Sequence, residues 1–242
     1  IDDYKSNTDG VRTICNAVQA TPDIQRVIYT SSQLVCRVGY VPKGDTEYCP
    51  NNYYGQSKVV PEKIVREDGG GVEWCLVRPT TVWGPHMSEH YQSFLRNLKR
   101  GTFFHFSKRP LYKSYSYAGN IAFQFLKLLT APKEQVHKKT FYLADYEPLS
   151  LRVYVDLLAL RLHAPRVRSI PYPVAKVLAL GGDLAEAIGI RNIPFTSFRL
   201  NNILTEYQFD MSPTRAVCGE LPYTFEDGVN ATAEWYLSER EA

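Results

Sequence analysis

Arg26-Val27-Ile28-Tyr29-Thr30-Ser31-Ser32 is the stretch that decides the fold. Its first five residues are a short β-rich run, as a buried strand requires, and two serines follow at the strand's C-terminal end. Upstream, Val11, Ile14, Cys15 and Val18 recur at helical spacing, so residues 8–20 read as an amphipathic helix stopped by Thr21-Pro22-Asp23. Downstream, residues 33–51 read as a loop, with Gly39, Pro42, Gly44 and Pro50. A second helix is expected over 52–67, with Val59, Ile64 and Val65 as packing residues and a kink at Pro61, which removes a backbone donor. Val72-Glu73-Trp74-Cys75-Leu76-Val77 is the next strand. Helix, strand, helix, strand is the order of a doubly wound parallel sheet. Ligands gather at the C-terminal strand ends of such sheets, which is where Ser31 and Ser32 stand.

The second helix opens with Tyr54-Gly55-Gln56-Ser57-Lys58. A Tyr and a Lys four apart share one helix face. An isolated phenol titrates near ~10 and is a poor base at neutral pH. An ammonium beside it favours the phenolate. A hydroxyl from Ser32 then holds a substrate alcohol or carbonyl next to the phenol, a proton-transfer device suited to C–OH/C=O chemistry. The spacing alone is a weak signal, because Tyr172-Pro173-Val174-Ala175-Lys176 repeats it with no Ser-tipped strand ahead.

Composition sets the bounds. The 242 residues are 44% hydrophobic and 22% charged, with a formal charge of +3. That charge, with no Lys/Arg block interleaved with aromatics, argues against a nucleic-acid partner. No apolar run reaches membrane-spanning length, since the richest, Val174 to Leu180, is broken by Lys176 and ends at Gly181-Gly182. Five scattered cysteines without a C-x-x-C indicate neither a zinc site nor a disulfide framework, and suggest a reducing, cytoplasmic setting.

Beyond Pro85, helices are expected around Tyr91–Leu98, Ile121–Leu129, 149–163, 173–188 and Phe225–Leu237. Strands are expected at Phe103–Phe106, Thr140–Leu143, Arg166–Ile170 and, at an edge, Glu206–Phe209. His86 and His90 follow Gly84-Pro85 in a loop, where histidines are more often bystanders than substrate contacts.

Taken together, Asn7-Thr8-Asp9-Gly10, Thr30-Ser31-Ser32, Tyr54-Gly55-Gln56-Ser57-Lys58 and Arg78-Pro79-Thr80-Thr81-Val82-Trp83-Gly84-Pro85 resemble an extended short-chain dehydrogenase/reductase of the NAD-dependent epimerase/dehydratase family, which includes the nucleotide-sugar epimerases. The resemblance runs weakly on to Glu226-Asp227-Gly228. It implies a Rossmann-like α/β fold and NAD or NADP as cofactor. Tyr54 is then the general acid/base, Lys58 binds the nicotinamide ribose and tunes the phenol, and Ser32 holds the reacting oxygen. Ser31 and the segment Pro79, Thr80, Thr81 and Val82 lie along the nicotinamide. Thr81 also touches substrate. Asn7 matches the family's active-site helix Asn, with a helix cap for 8–20 as the equal alternative. Lys113 and Arg199 fall where the family places diphosphate-binding arginines, with a solvated surface base as the alternative for each.

The resemblance further implies a small-molecule substrate, a nucleotide sugar, and a possible homodimer through helices 8–20 and 52–67. Residues 1–85 are expected to form the C-terminal half of the NAD(P)-binding domain, with 112–145 returning to it. Residues 86–242 are expected to be mainly a smaller mixed α/β substrate-binding subdomain. Departures from the family narrow the chemistry. Gln33-Leu34 replaces the Asp-Glu pair of 4,6-dehydratases and the Cys acid of the epimerising reductases, and Thr81 replaces an Asn of UDP-galactose 4-epimerases. Two other readings stay open, a hydroxysteroid-dehydrogenase-like enzyme for a hydrophobic alcohol or ketone, and a non-catalytic interaction protein.

A dinucleotide fold also needs a Gly-rich turn from its first strand into a helix. Gly69-Gly70-Gly71 precedes a strand, and Gly181-Gly182 and Gly189 lie in a helical region. The chain is therefore expected to be truncated before residue 1, and by itself to bind NAD weakly and be inactive.

Overall fold

A computed structural model describes residues 4–190, 193 and 195–239, with residue 90 described by its backbone only. The side chain of His90, named above, thus lies outside the described residues. In chain order the elements begin α1 (Lys5–Gln19), β1 (Arg26–Thr30), α2 (Tyr53–Glu67), β2 (Glu73–Pro79) and β3 (Thr81–Trp83). Next come α3 (Glu89–Lys99), β4 (Phe104–His105), β5 (Tyr112–Lys113), β6 (Tyr115–Tyr117), α4 (Ala118–Thr130) and α5 (Lys133–Val136). The remainder are β7 (Thr140–Leu143), β8 (Leu149–Ser150), α6 (Leu151–Arg161), β9 (Arg168–Ser169), α7 (Tyr172–Ala187), α8 (Ser197–Leu204), α9 (Ser212–Cys218) and α10 (Phe225–Ser238).

The chain divides into two units. The first comprises residues 1–83, 114–147 and 208–224. Its sheet runs β1-β2-β7, all parallel, with Arg26 opposite Glu73 and Leu76 opposite Thr140. Side chains alternate across a strand, so β2 feeds two cores at once. Trp74 and Leu76 join Tyr29, Cys15, Ile64 and Val65 on the side of α1 and α2. Cys75 and Val77 join Phe141, Leu143, Ile121 and Leu128 on the side of α4. A strand buried on both faces reads as the unbroken apolar run seen in the sequence. This is the expected Rossmann-like, doubly wound parallel arrangement. Arg26 ties the sheet to the end of α4, donating to the carbonyls of Leu128, Leu129 and Ala131 and to the Glu73 carboxylate. A second parallel pair, β3 with β6, extends the unit beyond β2.

The second unit comprises residues 84–113, 148–207 and 225–242. It is mixed α/β: β4 pairs parallel with β9 and β5 antiparallel with β8. Helix α6 packs on α10, and α7 packs on α8 through Ala175, Ala179 and Leu200.

Four expectations change. Helix α2 runs unbroken through Pro61, whose ring is buried. Asn7 lies inside α1, which begins at Lys5, so it is not a cap. Glu206–Phe209 is not a strand. Tyr207 makes one parallel bridge to Lys113, and from Gln208 the chain belongs to the first unit, where Phe209 stacks on Tyr142 with ring centroids 4.1 Å apart. Helices α8 and α9 are short and were not anticipated.

Candidate active site

The C-terminal end of β1 and the start of α2 are fastened together by backbone contacts. Ser31 N donates to Val77 O at 2.8 Å, which carries the β1–β2 ladder one residue past the strand. Ser32 is extended, and its Oγ accepts from Leu34 N at 3.1 Å, capping a single 3-10 turn at Gln33–Val35. The Leu34 carbonyl of that turn abuts α2 at Gly55, where a Cβ would sit 2.1 Å from the carbonyl oxygen. Only glycine allows this approach. Asn52 caps α2, its Oδ1 accepting from Gly55 N at 2.7 Å.

Tyr54 and Lys58 are both half-buried on α2, and Lys58 Nζ lies 5.8 Å from the centroid of the Tyr54 ring. Burial holds the Lys58 ammonium below its ordinary pKa. The Tyr4 ring meets Tyr54 edge-on at 6.0 Å. Asn7 Nδ2 donates to Ser57 Oγ at 3.0 Å, and Ser57 Oγ donates to the Tyr54 carbonyl at 2.7 Å. Asn7 therefore links α1 to the turn of α2 that bears Tyr54.

Two residues that sequence reasoning passed over hold this helix in place. Glu62 and Arg78 form a fully buried ion pair, with Arg78 Nε and Nη2 donating to the two carboxylate oxygens at 2.9 and 2.7 Å. Arg78 also donates to the Asp45 carbonyl and the Tyr142 hydroxyl, and its guanidinium lies between the Tyr48 and Tyr142 rings. Burial alone would raise the Glu62 carboxyl. The hydrogen bonds and charge of Arg78, helped by Ser31 and Arg66, reverse this and hold it below the usual carboxylate range. The Ser31 hydroxyl itself is buried with no partner at hydrogen-bond geometry. The available signal was the spacing of Tyr54, Lys58, Glu62 and Arg66, a polar stripe at every fourth position.

Pro79 closes β2. Thr80 is buried, its Oγ1 shared with Ser116 Oγ at 2.8 Å and facing the Leu143 carbonyl. Thr81 is half-buried in β3, and Val82 packs against the core of Val77, Phe141 and Leu143. The Thr80 hydroxyl and the Val82 side chain are thus used within the protein, which leaves Thr81 as the partly exposed side chain of the pair of threonines.

In the second unit, Lys113 is not the solvated base considered as one alternative. It is 3% exposed, Nζ donates to the Asn202 carbonyl at 2.7 Å, and the ammonium lies over the Tyr207 ring. Burial pushes its pKa down to about 8, against a smaller opposing pull from Glu206. Arg199 is exposed on α8, whose cap is Thr196. His86 is exposed, beside Trp235 and Glu239.

A parallel sheet covered by helices on both faces, with a Tyr–Lys pair on the helix after a Ser-tipped strand, defines a Rossmann-like protein of the short-chain dehydrogenase type. The chain belongs to the NAD dependent epimerase/dehydratase family, whose model matches residues 1–144. It is 25% identical to the N-acetyl-alpha-D-glucosaminyl-diphospho-ditrans,octacis-undecaprenol 4-epimerase of Escherichia coli O157:H7, over 96% of this chain and 71% of that one. It is 26% identical to the UDP-glucose 4-epimerase of Vibrio cholerae, over 96% and 69%. Its fold is similar to the UDP-glucuronic acid 4-epimerase of Bacillus cereus in complex with NAD, with a TM-score of 0.72 at 12% identity, covering 99% of this chain and 71% of that one.

The residues present suit the nicotinamide end of such a cofactor in kind. They offer a buried Ser31 hydroxyl beside the Glu62 carboxylate, a half-buried cation at Lys58 and the Tyr54 phenol.

Proposed function

We propose that the protein is an NAD(P)-dependent epimerase or oxidoreductase acting on a nucleotide-linked sugar. The observation that carries this reading is the Lys58 ammonium held over the Tyr54 ring, on a helix clamped by Gly55 against the turn that Ser32 caps. Ser31, Asn7, Tyr54, Lys58 and the Pro79–Val82 segment are the residues that hold the cofactor. When bound, the nicotinamide supplies the hydride acceptor and donor. Tyr54 takes the proton from the sugar hydroxyl and returns it. Lys58, half-buried and 5.8 Å from the centroid of the Tyr54 ring, binds the nicotinamide ribose. Ser32 has spent one lone pair on Leu34 N, which leaves its O–H to donate to the reacting oxygen. Thr81 contacts the substrate, and Lys113 and Arg199 balance the charge of its diphosphate. Lys113 does so as a point charge that already holds one carbonyl.

The test is Tyr54→Phe and Lys58→Met in the protein that carries this chain, assayed with UDP-hexoses. A lost proton-transfer group lowers kcat by roughly 10²–10⁴-fold with the fold intact. Retained turnover in Tyr54→Phe removes the phenol from the reaction. A cofactor that stays bound through turnover marks an epimerase, and stoichiometric reduction of added NAD marks a dehydrogenase. Turnover of hydroxysteroids with none of UDP-hexoses would replace the substrate class.

A further inference from the structure

The segment between the turn that Ser32 caps and α2 is held by an isolated parallel β-bridge between Cys36 and Cys49. Cys49 N donates to the Val35 carbonyl at 3.0 Å, and Arg37 N donates to the Cys49 carbonyl at 2.7 Å, so Cys49 is hydrogen-bonded to the residues on either side of Cys36. Neighbouring strands paired in this way run about 4.8 Å apart, with paired side chains on the same face. A disulfide needs Cα atoms about 4.4–6.8 Å apart and side chains that do not diverge. The backbone therefore sets these two residues at bridging distance, while both thiols are free.

The two thiols differ in access. Cys36 is 2% exposed, and its Sγ donates to the Glu47 carbonyl at 3.5 Å. Burial pushes its pKa up, against smaller pulls from the Cys49 N–H and from Arg78. Cys49 is partly exposed. A reagent in solution thus reaches Cys49, and Cys36 meets only what Cys49 carries to it. Cys15, Cys75 and Cys218 are buried elsewhere. Cys15 contacts the Tyr29 hydroxyl, while Cys75 and Cys218 share a core with Phe141 and Leu128, where burial pushes their thiols up to about 12 and about 11. Thiols buried in apolar surroundings are inert.

The bridge also lies between the parts of the candidate site. Cys36 directly follows the 3-10 turn Gln33–Val35, whose Leu34 carbonyl abuts Gly55. Cys49-Pro50-Asn51 leads into Asn52, the cap of α2, and Pro50 packs at Gly55 as well. Between the two cysteines, the Asp45 carbonyl accepts from Arg66 and Arg78, and the Tyr48 ring lies against the Arg78 guanidinium. A disulfide draws its Cβ atoms in to about 3.8 Å. With no space between Leu34 and Gly55 to absorb that movement, it passes to the Ser32 turn or to the first turn of α2, which bears Tyr54.

We propose that Cys36 and Cys49 are a reversible thiol–disulfide site, oxidised by low-molecular-weight disulfides of the glutathione type, and that the bond between them displaces Ser32 from Tyr54 and slows turnover. The Cys49 thiolate attacks one sulfur of the small disulfide and expels the other half as a thiolate, leaving a mixed disulfide on Cys49. Cys36, deprotonated, then attacks Cys49 Sγ and expels the second half. The two protein thiols lose two electrons and two protons, and the small disulfide is reduced to two thiols. A disulfide formed this way in a chain of otherwise free thiols belongs to the transient, redox-sensing kind. Slowed turnover rests on the proposed function, whereas formation of the bond does not.

The test incubates the folded protein in glutathione buffers of rising oxidised fraction, quenches in acid, alkylates the remaining thiols after unfolding, and maps the peptides without reduction. One intramolecular bond, Cys36 to Cys49, is expected, reversed by dithiothreitol, with Cys15, Cys75 and Cys218 all alkylated. Cys36→Ser is expected to trap the glutathione mixed disulfide on Cys49, and Cys49→Ser to take up no glutathione. Circular dichroism checks that both variants are folded. Wild-type kcat with UDP-hexoses should fall at least ~10-fold on oxidation and recover on reduction, as a displaced catalytic geometry requires. Cys49→Ser should keep its kcat in both buffers. No Cys36–Cys49 bond in the folded wild type, or a wild-type Cys49–glutathione adduct that Cys36 does not resolve, overturns the site. A bond that forms and leaves the kcat of an active enzyme unchanged overturns its effect on Ser32 and Tyr54. Absence of turnover in the reduced wild type counts against the proposed function instead, and the peptide map then decides the thiol–disulfide site.

Discussion

Glu62 and Arg78 meet through two hydrogen bonds of 2.9 and 2.7 Å with neither side chain exposed to solvent. The pair joins the middle of α2 to the penultimate residue of β2. Because Tyr54, Lys58 and Glu62 follow one another at four-residue intervals, fixing Glu62 fixes the rotation of α2 about its axis. The ion pair thereby decides which way the phenol and the ammonium face.

Breaking one half of such a pair leaves a buried charge without its partner. Glu62→Gln or Arg78→Met should cost about 3–5 kcal/mol, whereas Glu62→Leu/Arg78→Met, which removes both charges, should cost less than either. Urea unfolding of the three variants measures this, and a double variant as damaged as the sum of the singles would contradict it. The pH dependence has a definite sign. The folded Glu62 pKa lies below its ordinary 4.5, so its contribution is complete above that value and disappears as pH falls through the lower folded value.

Gly55→Ala tests the clamp between the strand tip and α2. The added Cβ would lie 2.1 Å from the Leu34 carbonyl oxygen, and backbone on both sides leaves no flexible end to move. Either the turn at Gln33–Val35 or the first turn of α2 must shift, carrying Ser32 or Tyr54 with it. The expected outcome is a loss of at least ~1 kcal/mol by urea unfolding, as for other overpacked sites. A fall in kcat should exceed any change in KM. Wild-type stability and kcat in Gly55→Ala would show that this approach is looser than described.

Much of this site was legible because hydroxyl-tipped strands and i, i+4 pairs announce themselves. Arg26–Thr30, with Ser31 and Ser32 after it, reads as strand and site alike, and Thr140–Leu143 reads as strand, since β-branched and aromatic residues pack well on a pleated surface. The clamp was not legible. Gly55 inside a helix looks like a propensity cost until the Leu34 carbonyl is seen against it. Glu62 and Arg78 are 16 residues apart, and no local pattern says that two charges will be buried together. The burial of Lys113, which removes the solvated-base alternative, was not legible for the same reason, because its cage comes from Asn202 and Tyr207, far along the chain. The strand expected over Glu206–Phe209 had adequate propensity, but the stretch spans the boundary between the units at Tyr207, and from there Phe209 packs on Tyr142 within the first unit, so tertiary packing overrode it.

Lys113 gives a second pH test, with a slope of the same sign as that of Glu62 but in an alkaline window. Burial lowers its folded pKa to about 8, while the unfolded chain keeps the ordinary 10.5. Between those values the unfolded state binds more protons than the folded one, so stability rises with pH across that window. The rise from this group is at most about 3 kcal/mol. Comparing wild type with Lys113→Met by urea unfolding from pH 7 to pH 11 isolates it from other titrating groups (about four units cover the window). The wild-type curve should climb relative to the variant above pH 8 or so. Parallel curves would mean that the ammonium is better solvated than its burial implies.

Cofactor affinity separates what these residues supply from what they do not. A dinucleotide's pyrophosphate is ordinarily held by backbone N–H groups of a Gly-rich turn at a helix N-terminus. Gly69–Gly71 is instead a 3-10 turn leading into β2, with Gly69 and Gly70 packed against Trp74 and Val18, and Gly181-Gly182 lie within α7. Neither can open onto a phosphate. What is present is the set that the proposed function assigns to the nicotinamide end: Ser31, Tyr54 and Lys58. Calorimetry with NAD on these 242 residues should therefore show binding weaker than micromolar. Whatever binding remains should fall further in Lys58→Met, because the half-buried ammonium is the one cation of that set. Micromolar affinity that Lys58→Met leaves unchanged would place the nucleotide elsewhere on the chain and take Tyr54 out of its reach.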